Sequence, residues 1–174
     1  MTKTIGKVIA AAALAALTVT SAQAACWTPV SVTAAKVRDF EAMLRAASAR
    51  CSAEMPAIKA GYDSFVTISR PAFAEANATI RAHFAADDGL VGSFSAYNGF
   101  LASITKSYAA GANGLACDDF AQLVDAANAD GASAATLAQL ANAVGASPTL
   151  VGQRCSNRVS LPRTNALQQI AINK

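Results

Sequence analysis

The apolar positions of this chain fall at helical spacing over most of its length. Val37, Phe40, Leu44, Ala47 and Cys51 recur at steps of three, four, three and four, a repeat that lines side chains along one side of a helix. Lys36, Arg38, Asp39, Glu41, Arg45 and Arg50 fall mostly on the other side, so the spacing predicts an amphipathic helix with one face to water. Its start is expected near Ser31 or Thr33, whose hydroxyls can accept from the free amides of a first turn, with Trp27 and Pro29 in an extended lead-in. A second segment opens at Ser52-Ala53-Glu54-Met55-Pro56 and runs to residue 86. Val66, Phe73 and Ile80 are each seven apart and Phe84 follows four later. Pro71 lies inside it and must kink or end a helix. The apolar register carries across that proline, which predicts a kinked, continuous helix, with a full break as the alternative.

Asp87-Asp88-Gly89 makes a turn. Phe94, Tyr97, Leu101, Ile104 and Tyr108 then form a third seam at the same three-four spacing, closed by Gly111 to Gly114. A fourth helix follows Cys117, with Asp118 and Asp119 at its positive start and Phe120, Leu123, Val124 and Ala127 on its apolar face. Ala129-Asp130-Gly131 breaks it, and Ser133 can cap a fifth helix carrying Leu137, Leu140 and Val144, ended by Gly145 and Pro148. No stretch alternates with the period of two that a strand requires. The fold class is all-α: a disulfide-stapled antiparallel bundle of about five helices, its heptad-like spacing favouring crossings of about 20°.

The ends of the chain differ from its middle. Lys3 and Lys7 precede an apolar run from Val8 to Val19 and the small-x-small ending Ala22-Gln23-Ala24, the layout of a secretory signal peptide with cleavage near Ala24. The run is too short for a transmembrane span, which needs about 20 apolar residues. Lipidation of Cys26 is the alternative, disfavoured by Gln23. The expected organisation is a signal peptide over 1–24, a helical domain over 25–155 and a loosely packed tail over 156–174. Removing Lys3 and Lys7 takes the basic count from 14 to 12 against 11 acids, so the net charge falls to +1 and no nucleic-acid surface is indicated. Arg154, Arg158, Arg163 and Lys174 close the chain, and the tail is expected to fold back on the acidic fourth helix. Four cysteines in an exported chain point to two disulfides and an oxidising compartment; the expected address is the periplasm, and the expected state a monomer.

Helix length restricts the cysteine pairing. If Thr33 to Arg50 is helical, its 18 residues span about 27 Å, whereas a disulfide needs Cα atoms within about 7 Å. The six residues between Cys26 and Thr33 reach about 20 Å, too short to double back, so Cys26–Cys51 and with it Cys117–Cys155 are excluded. Two pairings remain. A helix that continues through Pro71 brings Cys117 to the end where Cys51 sits, giving Cys51–Cys117 with Cys26–Cys155. A reversal at Pro71 gives Cys26–Cys117 with Cys51–Cys155.

Cys26-Trp27-x-Pro29, Lys36-Val37-Arg38-Asp39, Met43-Leu44, Arg50-Cys51, Tyr62 with Phe65-Val66, His83-Phe84 and Cys117 together resemble a group of small exported four-cysteine helical proteins of proteobacteria with no established activity. The resemblance covers residues 26–117, rests on spacing and implies fold and export only. Some members of that group carry a name referring to S-adenosylhomocysteine hydrolysis; this chain has no Gly-x-Gly-x-x-Gly after a strand and no alternating strand and helix to build a dinucleotide fold.

Chemistry-bearing residues are few. His83 is the only histidine, too little for a zinc site needing three or four protein ligands, and no Cys-x-x-Cys pair exists. Gly92-Ser93-Phe94-Ser95 lacks the frame of a serine-nucleophile turn, and Glu41, Glu54 and Glu75 are spaced too irregularly for a di-metal bundle. No catalytic residue, metal or cofactor is therefore expected. Trp27, Tyr62, Phe65, Tyr97 and Tyr108 can pack in the core with their hydroxyls at its rim or line a space between helices, with Arg70 beside the proline or His83 as its polar contact. The functional expectation is an exported accessory or binding protein working on an envelope protein or a small ligand. The alternatives are a carrier or enzyme using that aromatic pocket, with Trp27, Tyr62, Tyr97, Arg70 and His83 as its residues, and an inhibitor or chaperone-like protein acting through an exposed apolar face.

Overall fold

The computed structural model of the chain describes residues 26–112, 114–129 and 133–155. The expected signal segment and its cleavage site, the break at Asp130-Gly131 and the folding-back of the tail lie outside these residues. Within these residues five helices follow in order: α1 Pro29–Cys51, α2 Pro56–Ile68, α3 Arg70–Ser107, α4 Cys117–Ala129 and α5 Ala134–Ala143. Among the described residues the only β-type pairing is an isolated parallel bridge between Trp27 and Arg154. The all-α reading holds. None of the described helices is long and apolar enough to cross a membrane.

Helix α1 starts earlier than expected. Thr28 is extended and its Oγ1 accepts from the Ser31 amide at 3.1 Å, with Pro29 opening the first turn. The missing proline N–H is one the helix start would leave unsatisfied anyway. Ser31, expected as a cap, is a partner of the cap. At the other proline, α2 and α3 are separate helices. Ser69 alone lies between them, at φ −84° and ψ 2°, with bonds from Ser69 N to Phe65 O (2.8 Å) and from Phe73 N to Ser69 O (3.0 Å) on either side of it. Pro71 cannot donate to the Thr67 carbonyl and its ring crowds that carbonyl, so the continuous helix becomes a bend. The Phe65 and Phe73 rings are 5.5 Å apart, although eight residues span about 12 Å along a straight helix. The chain bends without reversing: Tyr62 reaches Glu41, Phe73 lies under Arg38, and His83 meets Trp27, so α2 and the first half of α3 both run back along α1.

The reversal comes at Gly89. Its φ of 67° and ψ of −178° lie in a region open essentially to glycine alone, and it divides α3 into halves over 70–88 and 90–107. Arg81 sits 4.7 Å over the Tyr97 ring and Phe84 is 5.9 Å from Phe100, which only a hairpin permits. The second half returns parallel to α1, with Phe100 beside Trp27 and Arg45 Nη2 donating to Thr105 Oγ1 at 3.0 Å. Its buried apolar side chains are Tyr97, Phe100 and Ile104, while Phe94 is 66% exposed; the expected seam is corrected by that exchange. α4 lies tightly on α2, where a Cβ on Gly61 would come within 2.7 Å of Val124. α5, capped by Ser133 as expected, joins α1 through Lys36 and Asn142.

This arrangement makes α1 the central helix, with α2, α3, α4 and α5 all against it. The expected apolar seam is wholly buried, but so are Asp39 and Glu41, two residues assigned to its watered face. Each carboxylate is met by a phenol: Tyr108 donates to Asp39 Oδ2 at 2.8 Å and Tyr62 to Glu41 Oε1 at 2.7 Å. Burial and these hydrogen bonds push both tyrosine pKa values up. Burial also raises the Asp39 pKa, against the lowering effect of the Tyr108 bond.

Two disulfides close the bundle. Cys26 is joined to Cys155 with Cα atoms 4.9 Å apart, and Cys51 to Cys117 at 5.6 Å. This is the pairing that follows from a chain passing Pro71 without reversing.

Candidate functional site

Trp27 is the residue around which the site is built. It is 1% exposed and held by four links. Its backbone N–H donates to Gln153 O at 2.8 Å, its carbonyl accepts from Cys155 N at 2.9 Å, its indole N–H donates to Val151 O at 2.8 Å, and Cys26 beside it is bridged to Cys155. An indole with its polar edge satisfied can present a fixed apolar body. His83 lies against it with ring centroids 3.8 Å apart, Phe100 at 5.5 Å, and Phe84 edge-on at 5.8 Å.

A cavity of about 400 Å³ opens beside this ring cluster, lined by Trp27, His83, Phe84, Asp87, Asp88, Ala96, Gly99, Phe100, Ser103, Thr149 and Val151. Its size has a local cause. Ala96, Gly99 and Ser103 are three and four apart on the second half of α3, so a strip of small side chains faces the aromatics across the hairpin. A Cβ on Gly99 would meet nothing within 4 Å. Ligand pockets run from roughly 300 to 1,000 Å³ and are mostly apolar with a few polar groups; this one has the size and lining to hold a molecule of one or two rings.

The polar groups are unequal. His83 is 8% exposed, and burial lowers its pKa below the usual 6.5 more than the nearby Asp87 carboxylate raises it, so the imidazole is neutral at pH 7. It also lines a second cavity of about 360 Å³ with Cys26, Val30, Ser31 and Thr79, which makes it a partition between two spaces. Asp87 and Asp88 stand at the rim, both exposed. A neutral imidazole and two carboxylates can hydrogen-bond and attract a ligand. Among the described residues no three His, Cys, Asp or Glu side chains converge on a metal position.

No known family, curated protein or solved structure matches the chain.

Of the residues expected at a pocket, the fold brings Trp27 and His83 together and sends the others elsewhere. Tyr62 is bonded to Glu41 against α1. Tyr97 is buried under Arg81 on another side of the hairpin. Phe65 packs with Phe40 and Phe73, and Tyr108 serves Asp39. Arg70 is exposed in the first turn of α3 and lines none of the described cavities. The four aromatic side chains, Tyr62, Phe65, Tyr97 and Tyr108, thus face different neighbours and not one common space. Sequence reasoning missed Phe84, Phe100, the Ala96-Gly99-Ser103 strip and the 149–151 segment. The strip was a usable signal, since small residues at helical spacing mark a face where room can be left; nothing local to Thr149 or Val151 pointed to the site.

Proposed function

We propose that this is an exported binding protein that takes a small, ring-bearing ligand into the Trp27–His83 cavity, acting in the oxidising space of the cell envelope. The observation that carries the reading is the construction of the cavity: an aromatic wall locked in place by the Trp27 hydrogen bonds and the Cys26–Cys155 bridge, opposite a helix face of small residues. Core packing alone does not require such rigidity around open space, whereas a preformed site does. The signal-like start and the two disulfides support export.

Trp27 is the only tryptophan, so its fluorescence reports on the surroundings of this one ring. Titration of oxidised protein lacking residues 1–24 with a set of small aromatic compounds should give a saturable change in emission for some of them. Gly99→Leu, whose Cβ would meet nothing within 4 Å and which replaces a weak helix former, should keep or raise the melting temperature, occupy the cavity with its side chain and abolish the response. An emission indifferent to every compound, or a response that survives Gly99→Leu, removes the reading.

A further inference from the structure

A separate cavity of about 180 Å³ lies between α1 and another face of the second half of α3. Arg38, Glu41 and Arg45 line it from α1, and Leu101, Ile104 and Thr105 from α3. It shares no lining residue with the Trp27–His83 cavity. Arg38, Glu41 and Arg45 are three and four residues apart, so one carboxylate stands between two guanidiniums along the helix. Arg38 Nη2 is 3.4 Å from Glu41 Oε2, and Arg45 Nε is 4.0 Å from Glu41 Oε1. Both distances exceed the roughly 2.7–2.9 Å of a charge-assisted hydrogen bond. Tyr62 donates to Glu41 Oε1 and Arg45 to Thr105. Arg38 Nε and Glu41 Oε2 are left buried with no hydrogen-bond partner among the described residues, on side chains 16% and 7% exposed.

An ion-pair ladder that served only the helix would need neither burial nor open space beside it. A buried donor and a buried acceptor without partners cost more than such a ladder contributes. The cost vanishes when a guest in the cavity accepts from Arg38 Nε and donates to Glu41 Oε2. Water can do both, yet it leaves two guanidiniums facing one carboxylate. A guest with a negative end at the arginines and a positive end at Glu41 meets the hydrogen bonds and the charges together. The volume is below the roughly 300–1,000 Å³ of pockets for larger ligands, so only a few heavy atoms fit. We infer that this cavity binds a small zwitterion of the α-amino-acid type, its carboxylate at Arg38 and Arg45, its ammonium at Glu41 and its short side chain against Leu101 and Ile104.

L-alanine, propionate and ethylamine present both charged ends, the carboxylate alone and the ammonium alone. Each is titrated into the oxidised protein at pH 7 and low salt, followed by calorimetry and by the Arg38 Nε–H resonance, assigned through Arg38→Lys. L-alanine should bind at least about tenfold tighter than either single-ended probe and should shift that resonance. Glu41→Gln, whose amide oxygen still accepts from Tyr62, should reduce the advantage of alanine over propionate to about twofold or less. Arg38→Lys should weaken alanine and propionate at least about tenfold. Lys59→Gln, an exposed cation on α2, should alter nothing. Alanine bound no tighter than propionate, an advantage that survives Glu41→Gln, or an unmoved Arg38 resonance overturns the site. Binding by none of the three means ordered water only and overturns it too, leaving the Trp27–His83 cavity untouched. Should Glu41→Gln fail to fold, the three probes and the Arg38 resonance of the unaltered protein decide.

Discussion

Removing the Cys26–Cys155 bridge tests how this bundle is held together. The partners are 129 residues apart, and the Cys51–Cys117 pair, 66 apart, lies inside that span. With the inner bridge intact, the outer one closes only the remaining stretch of about 63 residues. The chain-entropy relation gives about 14 cal/mol/K for a loop of that size, or about 4 kcal/mol at 25 °C. The inner bridge, evaluated the same way with the outer one present, is worth nearly as much. Few described contacts compensate for losing the outer one, because residues 149–155 form no helix and their backbone is tied to the rest through Trp27. Cys26→Ser/Cys155→Ser should therefore lose about 4 kcal/mol in urea unfolding, with an unchanged or larger m-value as the denatured chain expands. The same variant should show red-shifted Trp27 emission in the native state, since the Val151 acceptor and one cavity wall are released. A loss below about 1 kcal/mol with native-like emission would show that the 149–155 segment is held by packing alone, refuting the view that the bridge fixes the site.

Two other outcomes follow from the backbone and the buried charges. Gly89→Ala should cost about 1–3 kcal/mol, the strain of placing a Cβ at φ 67° in a glycine-only region; open space around it means that a thermal melt reads strain and not a clash, and no loss would place the reversal elsewhere. Asp39 has its folded pKa raised by burial, so its favourable contribution is present below about 3.8 and is lost as pH rises through the folded value. Asp39→Asn keeps the Tyr108 bond without the charge and should gain on the order of 1 kcal/mol at pH 7, with the gain shrinking toward pH 4; a net loss at pH 7 would show the charged bond to be stabilising.

How much could be read without the fold depended on the range of the interactions involved. Helical spacing, the Pro56 and Ser133 starts, the turn at Asp87-Asp88-Gly89 and the seam from Val37 to Cys51 were legible because each is decided within a turn or two of chain. The disulfide pairing was nearly legible, because helix length and chain direction restrict which cysteines can meet. The place of α1 was not. Asp39 and Glu41 look like water-facing residues until helices on every side bring Tyr108 and Tyr62 to them across 69 and 21 residues. The site was even less visible, since Trp27, His83, Phe100 and Val151 come from four separate stretches and meet only through the Gly89 hairpin and the closing bridge. Local spacing determines which face of a helix is apolar; which faces share a space, and whether that space is filled, is set by packing geometry that no single segment contains.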